Sequence, residues 1–228
     1  MVNIRHIHPW DVAAAEAIAI QRRLASQVSH QNGIPPVVQR IAGADLSAPD
    51  KEGYVQCAVV VLDFPSLQLV EIVTARGKPS FPYVTGLLSF REAPLVLEAL
   101  ERLAHPPDLL LADGQGLAHP RRFGLACHLG LLTGLPTIGC AKSLLVGVHG
   151  LLPLEKGASA SLHHKGEVVG AALRTRHNVR PLYVSIGHKV DLPSAMHWVL
   201  ACCTRYRVPE PTRLAHVAAA GKSKTTPP

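Results

Sequence analysis

Three acidic residues occupy positions where their charge invites a chemical explanation. Asp45 breaks the apolar run Ile41-Ala-Gly-Ala-Asp-Leu, Glu92 stands at the start of a helical pattern after Ser89-Phe-Arg, and Asp113 ends the apolar stretch Leu109-Leu-Leu-Ala and precedes Gly114 and Gly116. Each has an ordinary explanation taken alone: a solvent-facing strand end, a first-turn acid favoured by the helix dipole, and a turn former. Together they suggest more. If the strand carrying Asp45 pairs with the strand ending at Asp113, both acids lie at strand carboxyl ends, where open α/β sheets gather ligands. Carboxylates converging there repel unless a cation neutralises them, and hard oxygen donors select Mg²⁺, with Mn²⁺ as a substitute. Such a metal polarises a phosphodiester and generates hydroxide, and two ions about 3.5–4 Å apart clamp the attacking and leaving oxygens.

The stretch Asp113-Gly-Gln-Gly-Leu-Ala-His-Pro-Arg-Arg is the most informative in the chain. Gly114 and Gly116 let the backbone approach a flat ligand closely, while His119, Arg121 and Arg122 set polar and positive groups beside the acid. A plain strand-turn-helix connection has a use for the glycines and for Pro120, but not for an Asp, a His and two Arg in so short a run. Lys142 follows the apolar run Pro136-Thr-Ile-Gly-Cys-Ala. An ammonium at the end of a buried strand is costly unless it meets an anion, and it could neutralise a phosphate in the transition state. The alternative is a lysine that simply leaves the sheet edge.

The elements that must position these residues follow from periodicity. Residues 10–28 read as an amphipathic helix with Arg22 and Arg23 exposed, followed by a Gly-Pro-Pro loop at 32–36. Apolar runs at 37–46, 54–63 and 67–74, separated by turn-like clusters, predict an antiparallel meander. Helices are expected at 90–103, 122–133 and 192–206, the last with Asp191 as N-cap. Short strands are expected at 108–112, 137–141, 168–174 and 182–186. Buried strands alternating with helices imply parallel pairing in the second half. The expected fold is therefore α/β and ribonuclease H-like: a mixed sheet, three antiparallel strands and then parallel ones, flanked by helices. With no internal repeat or linker, residues 1–220 are expected to form a single domain and 221–228 a disordered tail.

Bulk composition narrows the function class. The 228 residues are 47% hydrophobic and 17% charged, which supports a sizeable core and excludes wholesale disorder. No apolar stretch reaches the roughly 18 residues of a membrane span, and MVNIRHIHPWD lacks the apolar core of a secretory leader. The formal net charge of +7 favours a polyanionic partner. Five cysteines without a CxxC pair fit buried thiols in a reducing cytoplasm, so a cytoplasmic protein is expected. Of the thirteen histidines, the pairs His6/His8 and His163/His164 lack the Cys partners of a zinc site. The Arg-rich segments 174–180 and 205–213 either track a phosphate backbone or are solubilising charge.

Three stretches, Phe81-Pro-Tyr-Val-Thr-Gly-Leu-Leu-Ser-Phe-Arg-Glu, residues 113–128, and Gly139-Cys-Ala-Lys-Ser, closely resemble successive motifs of the endonuclease V family, the deoxyinosine 3′ endonucleases. The similarity runs from about Ile20 to His216, in matching order and spacing. It implies a ribonuclease H-like fold, Mg²⁺ or Mn²⁺ dependence, and hydrolysis of the second phosphodiester 3′ to a deoxyinosine, leaving a 3′-hydroxyl and a 5′-phosphate. By the resemblance, Asp45, Glu92 and Asp113 are the metal-binding acids. Lys142 lies near the scissile phosphate, and His119 and His216 are polar neighbours in the active site. Tyr83 resembles the wedge that fills the gap left by an extruded base. Gly86, Leu88, Gly114, Gly116 and Leu145 resemble the hypoxanthine pocket, and Arg121 and Arg122 are grouped with the substrate-binding residues. The implied partner is DNA with deaminated bases, with inosine-containing RNA as the close alternative, and a monomer is expected. Two departures stand out. The family's wedge usually reads Pro-Tyr-Ile-Pro, whereas Thr85 here replaces the second proline and its fixed φ. Cys127 stands where a serine is expected. The rival readings are another ribonuclease H-like nuclease acting on RNA or structured DNA, and a non-catalytic module that binds damaged nucleic acid.

Overall fold

The computed structural model describes residues 1–221, so all but the first residue of the tail expected at 221–228 lies outside the described residues. Among the described residues, five helices and eight strands follow one another: α1 (Ala14–Ala25), β1 (Arg40–Leu46), β2 (Val55–Asp63), β3 (Leu69–Gly77), α2 (Leu88–Glu101), β4 (Leu109–Ala112), α3 (Leu125–Thr133), β5 (Thr137–Ala141), β6 (Ser159–His164), β7 (Glu167–Leu173), β8 (Leu182–His188), α4 (Leu192–Ala201) and α5 (Glu210–Ala219). The strands form one mixed sheet in the order β3-β2-β1-β4-β5-β8-β7-β6.

The meander β1-β2-β3 is antiparallel and β1, β4 and β5 run parallel, as the sequence predicts. Beyond β5 the expectation of parallel pairing is corrected, because β8 runs antiparallel to β5 and β7 antiparallel to β8. A parallel partner needs a long covered crossover. Here β7 turns directly into β8, and β6 pairs with β7 as a hairpin.

Alternate strand residues serve opposite faces, as the pleat requires. Ala42, Ala44, Val59, Val61 and Leu110 meet Ala93, Val96 and Leu100 of α2 and Leu125 and Leu129 of α3. On the other face, Ile41, Leu109, Leu111 and Ile138 meet Ala195 and Val199 of α4, and Ala58, Val60 and Leu62 meet Ala215, Ala218 and Ala219 of α5. α1 closes the outer layer, with Ile20 and Leu24 packed on the fully buried Phe90 and Phe123. Burying each such ring contributes about 1.5–3 kcal/mol. Asp191 caps α4 as expected, accepting from the Ser194 N–H at 2.7 Å, although the helix stops at Ala201 rather than 206. No helix of the described residues is long and apolar enough to cross a membrane.

Two details of register build the site. Ala44 lies opposite Ala112 in the parallel pair, so Asp45 and Asp113 leave adjacent strands at the same level. Gly43 lets the first turn of α5 lie directly on β1: a Cβ there would stand 2.1 Å from the Pro211 carbonyl carbon. That approach brings α5, and with it His216, over the end of β1.

Candidate active site

The carboxylates gather where β1 and β4 end and α2 begins. One Asp45 oxygen accepts from the Leu46 N–H at 2.8 Å and the other bonds His216 Nδ1 at 2.7 Å. Asp113 accepts a hydrogen bond from the Lys142 ammonium, which leaves the end of β5. Burial pushes Glu92 up to about 8, and the negative charges of Asp45 and Asp113 add to the shift. Burial likewise raises Asp45, with Asp113 next in importance. The three acids thus share one field, as their sequence positions suggest.

This donor set fits a hard divalent cation, since three crowded, partly buried carboxylates are stable together only near positive charge. Lys142 supplies some of that charge, and His216 holds Asp45 by a hydrogen bond. Among the described residues no three Asp, Glu, His or Cys side chains surround a common point as they stand, so an ion requires the carboxylates to turn toward it.

A pH dependence follows. Glu92 in the folded chain lies above its ordinary 4.5, so the stability linked to it is present at low pH and lost as pH rises toward about 8. Buried His119 and His188 lie lower, at about 4, and act oppositely, losing stability as pH falls below 6.5. In EDTA, the melting temperature should therefore fall from about pH 6.5 to 8.5, and Glu92→Gln should flatten that fall. Mg²⁺ should raise the melting temperature most at the alkaline end, because binding requires ionised carboxylates. A melting temperature that climbs through this window in EDTA would contradict the assignment.

Beside the acids opens a cavity of about 360 Å³. Tyr83, Gly86, Leu88, Gly114 and Leu145 line it together with Asp45, Asp113, His119 and Lys142. Glu92 lines an adjoining cleft that shares Tyr83 and Leu88 with the first. Tyr83 is 73% exposed, at the border of the two.

Three expected binding residues stand elsewhere. Gly116 lies beneath the cavity, where a Cβ would meet the Ile186 carbonyl oxygen at 2.0 Å, and its N–H donates to Ser185 Oγ at 2.9 Å. It lets the 113–118 loop cross β8. Arg122 is tied to Glu167 at 2.8 Å and to the His164 and His119 carbonyls. Arg121 donates to Gln21 Oε1 at 2.5 Å and to the Gly86 carbonyl at 2.6 Å. Both arginines border a separate basic cleft with Arg22 and Lys165.

The loop that carries Tyr83 is held by a clamp. Gly86 adopts φ +79°, a conformation that favours glycine. Its carbonyl receives Gln21 Nε2 at 3.0 Å, His119 Nε2 at 2.9 Å and Arg121 at 2.6 Å. Burial, then Arg121, lowers His119 to about 4, leaving a neutral imidazole. Its Nδ1 accepts from the Arg121 N–H at 3.2 Å, which assigns the ring proton to Nε2. These contacts, with the Leu87 N–H bonded to the Val84 carbonyl at 2.9 Å, hold the loop that Thr85 leaves without its second proline.

Several residues at the cavity were not anticipated. Gln21 is fully buried on the apolar face of α1, and a glutamine among Ala17, Ile20 and Leu24 was the available signal. Ser89 lines the cavity and bonds His128 Nδ1 at 3.0 Å, and His128 Nε2 meets His8 Nε2 at 2.6 Å. Burial lowers both histidines. Gln115 donates to the Ser143 carbonyl at 2.9 Å, while its Oε1 is buried without a partner among the described residues. Such an orphan costs about 1–3 kcal/mol. All five cysteines are free and buried, and burial pushes the Cys127 thiol up to about 12, so it packs rather than reacts.

Comparison with known proteins gives the family. The family model for Endonuclease V matches residues 22–217. Endonuclease V of Roseiflexus castenholzii is 55% identical over 212 residues, covering 93% of this chain and 94% of the relative. The crystal structure of Endonuclease V from Streptomyces avermitilis superposes with a TM-score of 0.89 at 45% identity, covering 97% of this chain and 96% of that one. The Ciona intestinalis Endonuclease V, in complex with a 24mer DNA containing an inosine followed by a ribo-adenosine, matches with a TM-score of 0.80 at 29% identity, covering 91% and 96%. With a matched family spanning nearly the whole sequence, and an all-carboxylate cluster beside a cavity at the ends of β1 and β4, this chain is an endonuclease that belongs to the endonuclease V family.

Proposed function

We propose that this chain is a Mg²⁺-dependent endonuclease that recognises inosine in DNA and hydrolyses the second phosphodiester 3′ to it, initiating repair of deaminated bases. The observation that carries this reading is the adjacency of two features: a cavity of base-sized dimensions, and a carboxylate group in which Asp45 and Asp113 line that cavity while Glu92, in the adjoining cleft, feels the charge of both. The Ciona enzyme's complex with inosine-containing DNA supports the substrate class. Five free, buried thiols support a reducing, cytoplasmic setting. We take the chain to act as a monomer, with residues 1–220 as one domain.

Tyr83 stacks into the vacancy left by the extruded base. Extrusion costs a few kcal/mol, least for a poorly paired base such as hypoxanthine, and the exposed ring of Tyr83 is free to offset part of it. The Gly86 clamp holds the loop that carries the ring, and neutral His119 serves as a positioning group within that clamp. Gly86, Leu88, Gly114 and Leu145 enclose the base. Asp45, Glu92 and Asp113 would hold Mg²⁺, or Mn²⁺ in its place, which supplies Lewis acidity and lowers the pKa of water. His216 orients Asp45, and Lys142 moves from its carboxylate partner to the phosphate, where it offsets developing negative charge. The products are a 3′-hydroxyl and a 5′-phosphate.

The direct test is cleavage of inosine-containing and undamaged duplexes in Mg²⁺ and in EDTA. A matching inosine-containing RNA belongs beside them, because the Ciona complex carries a ribo-adenosine after its inosine. Cutting that requires both inosine and Mg²⁺ supports the proposal, and cutting indifferent to inosine overturns it. The wedge makes a further prediction. Tyr83→Ala should lower cleavage of inosine in duplex DNA about ten- to hundred-fold, the worth of one base–aromatic stack. Inosine in a single strand, with no partner to displace, should be affected far less; equal losses on the two substrates would remove Tyr83 from this role.

A further inference from the structure

We infer that the side chain of Gln115 reads the N1 edge of the bound base, so that the pocket selects purines carrying an N1–H and rejects adenine. The inference rests on the inosine-nuclease reading above and assigns the discrimination within that site to one residue.

Four buried polar side chains line the cavity: Gln21, Ser89, Gln115 and His119. Three are committed to the protein. Gln21 donates to the Gly86 and Phe123 carbonyls and accepts from Arg121, His119 uses both ring nitrogens, and Ser89 bonds His128. Gln115 differs. Its side-chain amide is oriented by donation to the Ser143 carbonyl, an atom that can only accept, so its nitrogen and oxygen cannot exchange places. The remaining atom, Oε1, is an acceptor shut off from bulk water with no donor among the described residues. Gln115 is 9% exposed and lies between Gly114 and Gly116, on the loop that begins at Asp113, so it is held by backbone rather than reaching in from a mobile tip. Gln115 itself lines the cavity, so a donor group bound there that comes within reach of Oε1 would complete this buried acceptor.

Deamination supplies that donor. In adenine, N1 is a bare acceptor and the 6-position carries a donor amine. In hypoxanthine, N1 carries a hydrogen and the 6-position is an acceptor. An amide oxygen facing N1 therefore gains a hydrogen bond with hypoxanthine and meets a lone pair with adenine. Sites built around one hydrogen bond discriminate most sharply against the analogue lacking it, because the buried partner is then left unpaired.

The test compares kcat/KM on duplexes carrying inosine or nebularine, whose purine base has no N1–H, for the wild type and Gln115→Met. Methionine keeps the length and removes the acceptor. The wild-type preference for inosine over nebularine should fall about ten- to hundred-fold in Gln115→Met, with most of the change in the inosine arm. An unchanged ratio, whether or not both rates fall, overturns the assignment. Gln115→Glu, which keeps an acceptor, should retain a preference for inosine, and a folded Gln115→Glu protein without that preference also overturns it. A wild type that does not cut inosine-containing nucleic acid at all would instead fail the nuclease reading itself, before any variant is compared.

Discussion

Replacing Asp113 by Asn is expected to lower cleavage of inosine-containing DNA by at least about a thousandfold while binding stays within a few-fold. The substitution preserves shape, and the remaining oxygen still accepts from Lys142, so the fold and the cavity should persist. What disappears is one negative charge of three, and with it the affinity for a hard cation whose contribution to a phosphoryl transition state is several kcal/mol, at about 1.4 kcal/mol per decade of rate. The same change should relieve Asp45 and Glu92, both of which Asp113 pushes upward, so the metal-free variant should melt higher than the wild type at alkaline pH. Single-turnover rates, anisotropy titrations with labelled inosine duplex, and melting curves in EDTA separate these effects. Cleavage within tenfold of wild type would remove Asp113 from the metal site. Loss of binding in parallel with cleavage would make it a determinant of recognition instead.

Lys142→Ala should slow the chemical step by about a hundred- to a thousandfold, the range seen when one preorganised group facing developing charge is removed. The ammonium stands at the end of β5, two residues beyond the strand level shared with Asp113, and, although the side chain is exposed, it is anchored there by a carboxylate. Because it acts on the phosphate and not on the base, the preference for inosine over an undamaged base should survive, and Lys142→Arg should recover part of the rate by restoring the charge. A Lys142→Ala enzyme with normal single-turnover rates would leave the residue as a mere counter-ion of Asp113. An Arg variant no better than Ala would show that charge is not what the residue contributes.

Much of the site was legible because its positions are set by local register. Asp45 and Asp113 end apolar runs, and parallel pairing of those runs makes them neighbours; the observed partnership of Ala44 with Ala112 is that pairing. The 113–122 motif announced itself by residue types a connection does not need. What stayed hidden depends on contacts distant in sequence. Gln21 reads as one polar residue in an amphipathic helix, and its function exists only where α1 meets the Gly86 loop and Phe123. Gly116 reads as a ligand-approach glycine, but the pressure on it comes from the Ile186 carbonyl of β8. Strand β6 was missed because the alternation in Ser-Ala-Ser-Leu-His-His rests on Ala160 and Leu162 alone, its edge position giving it little to bury. Helix α5 was missed although Glu210 and Pro211 in its first turn are ordinary start signals. Its buried face is mostly alanine, which packs close to β1 and β2.

The central claim is that base capture and strand cutting occupy one connected site, so the cut must fall at a fixed distance from the captured base. The measurement that tests it most directly is nucleotide-resolution mapping of the nick on an end-labelled strand in which a single inosine is moved to several positions, with Mg²⁺ and with EDTA. The account predicts one Mg²⁺-dependent nick that follows the inosine, always at the second phosphodiester on its 3′ side. Nicks that stay in place as the inosine moves, or that appear on undamaged strands, would contradict it.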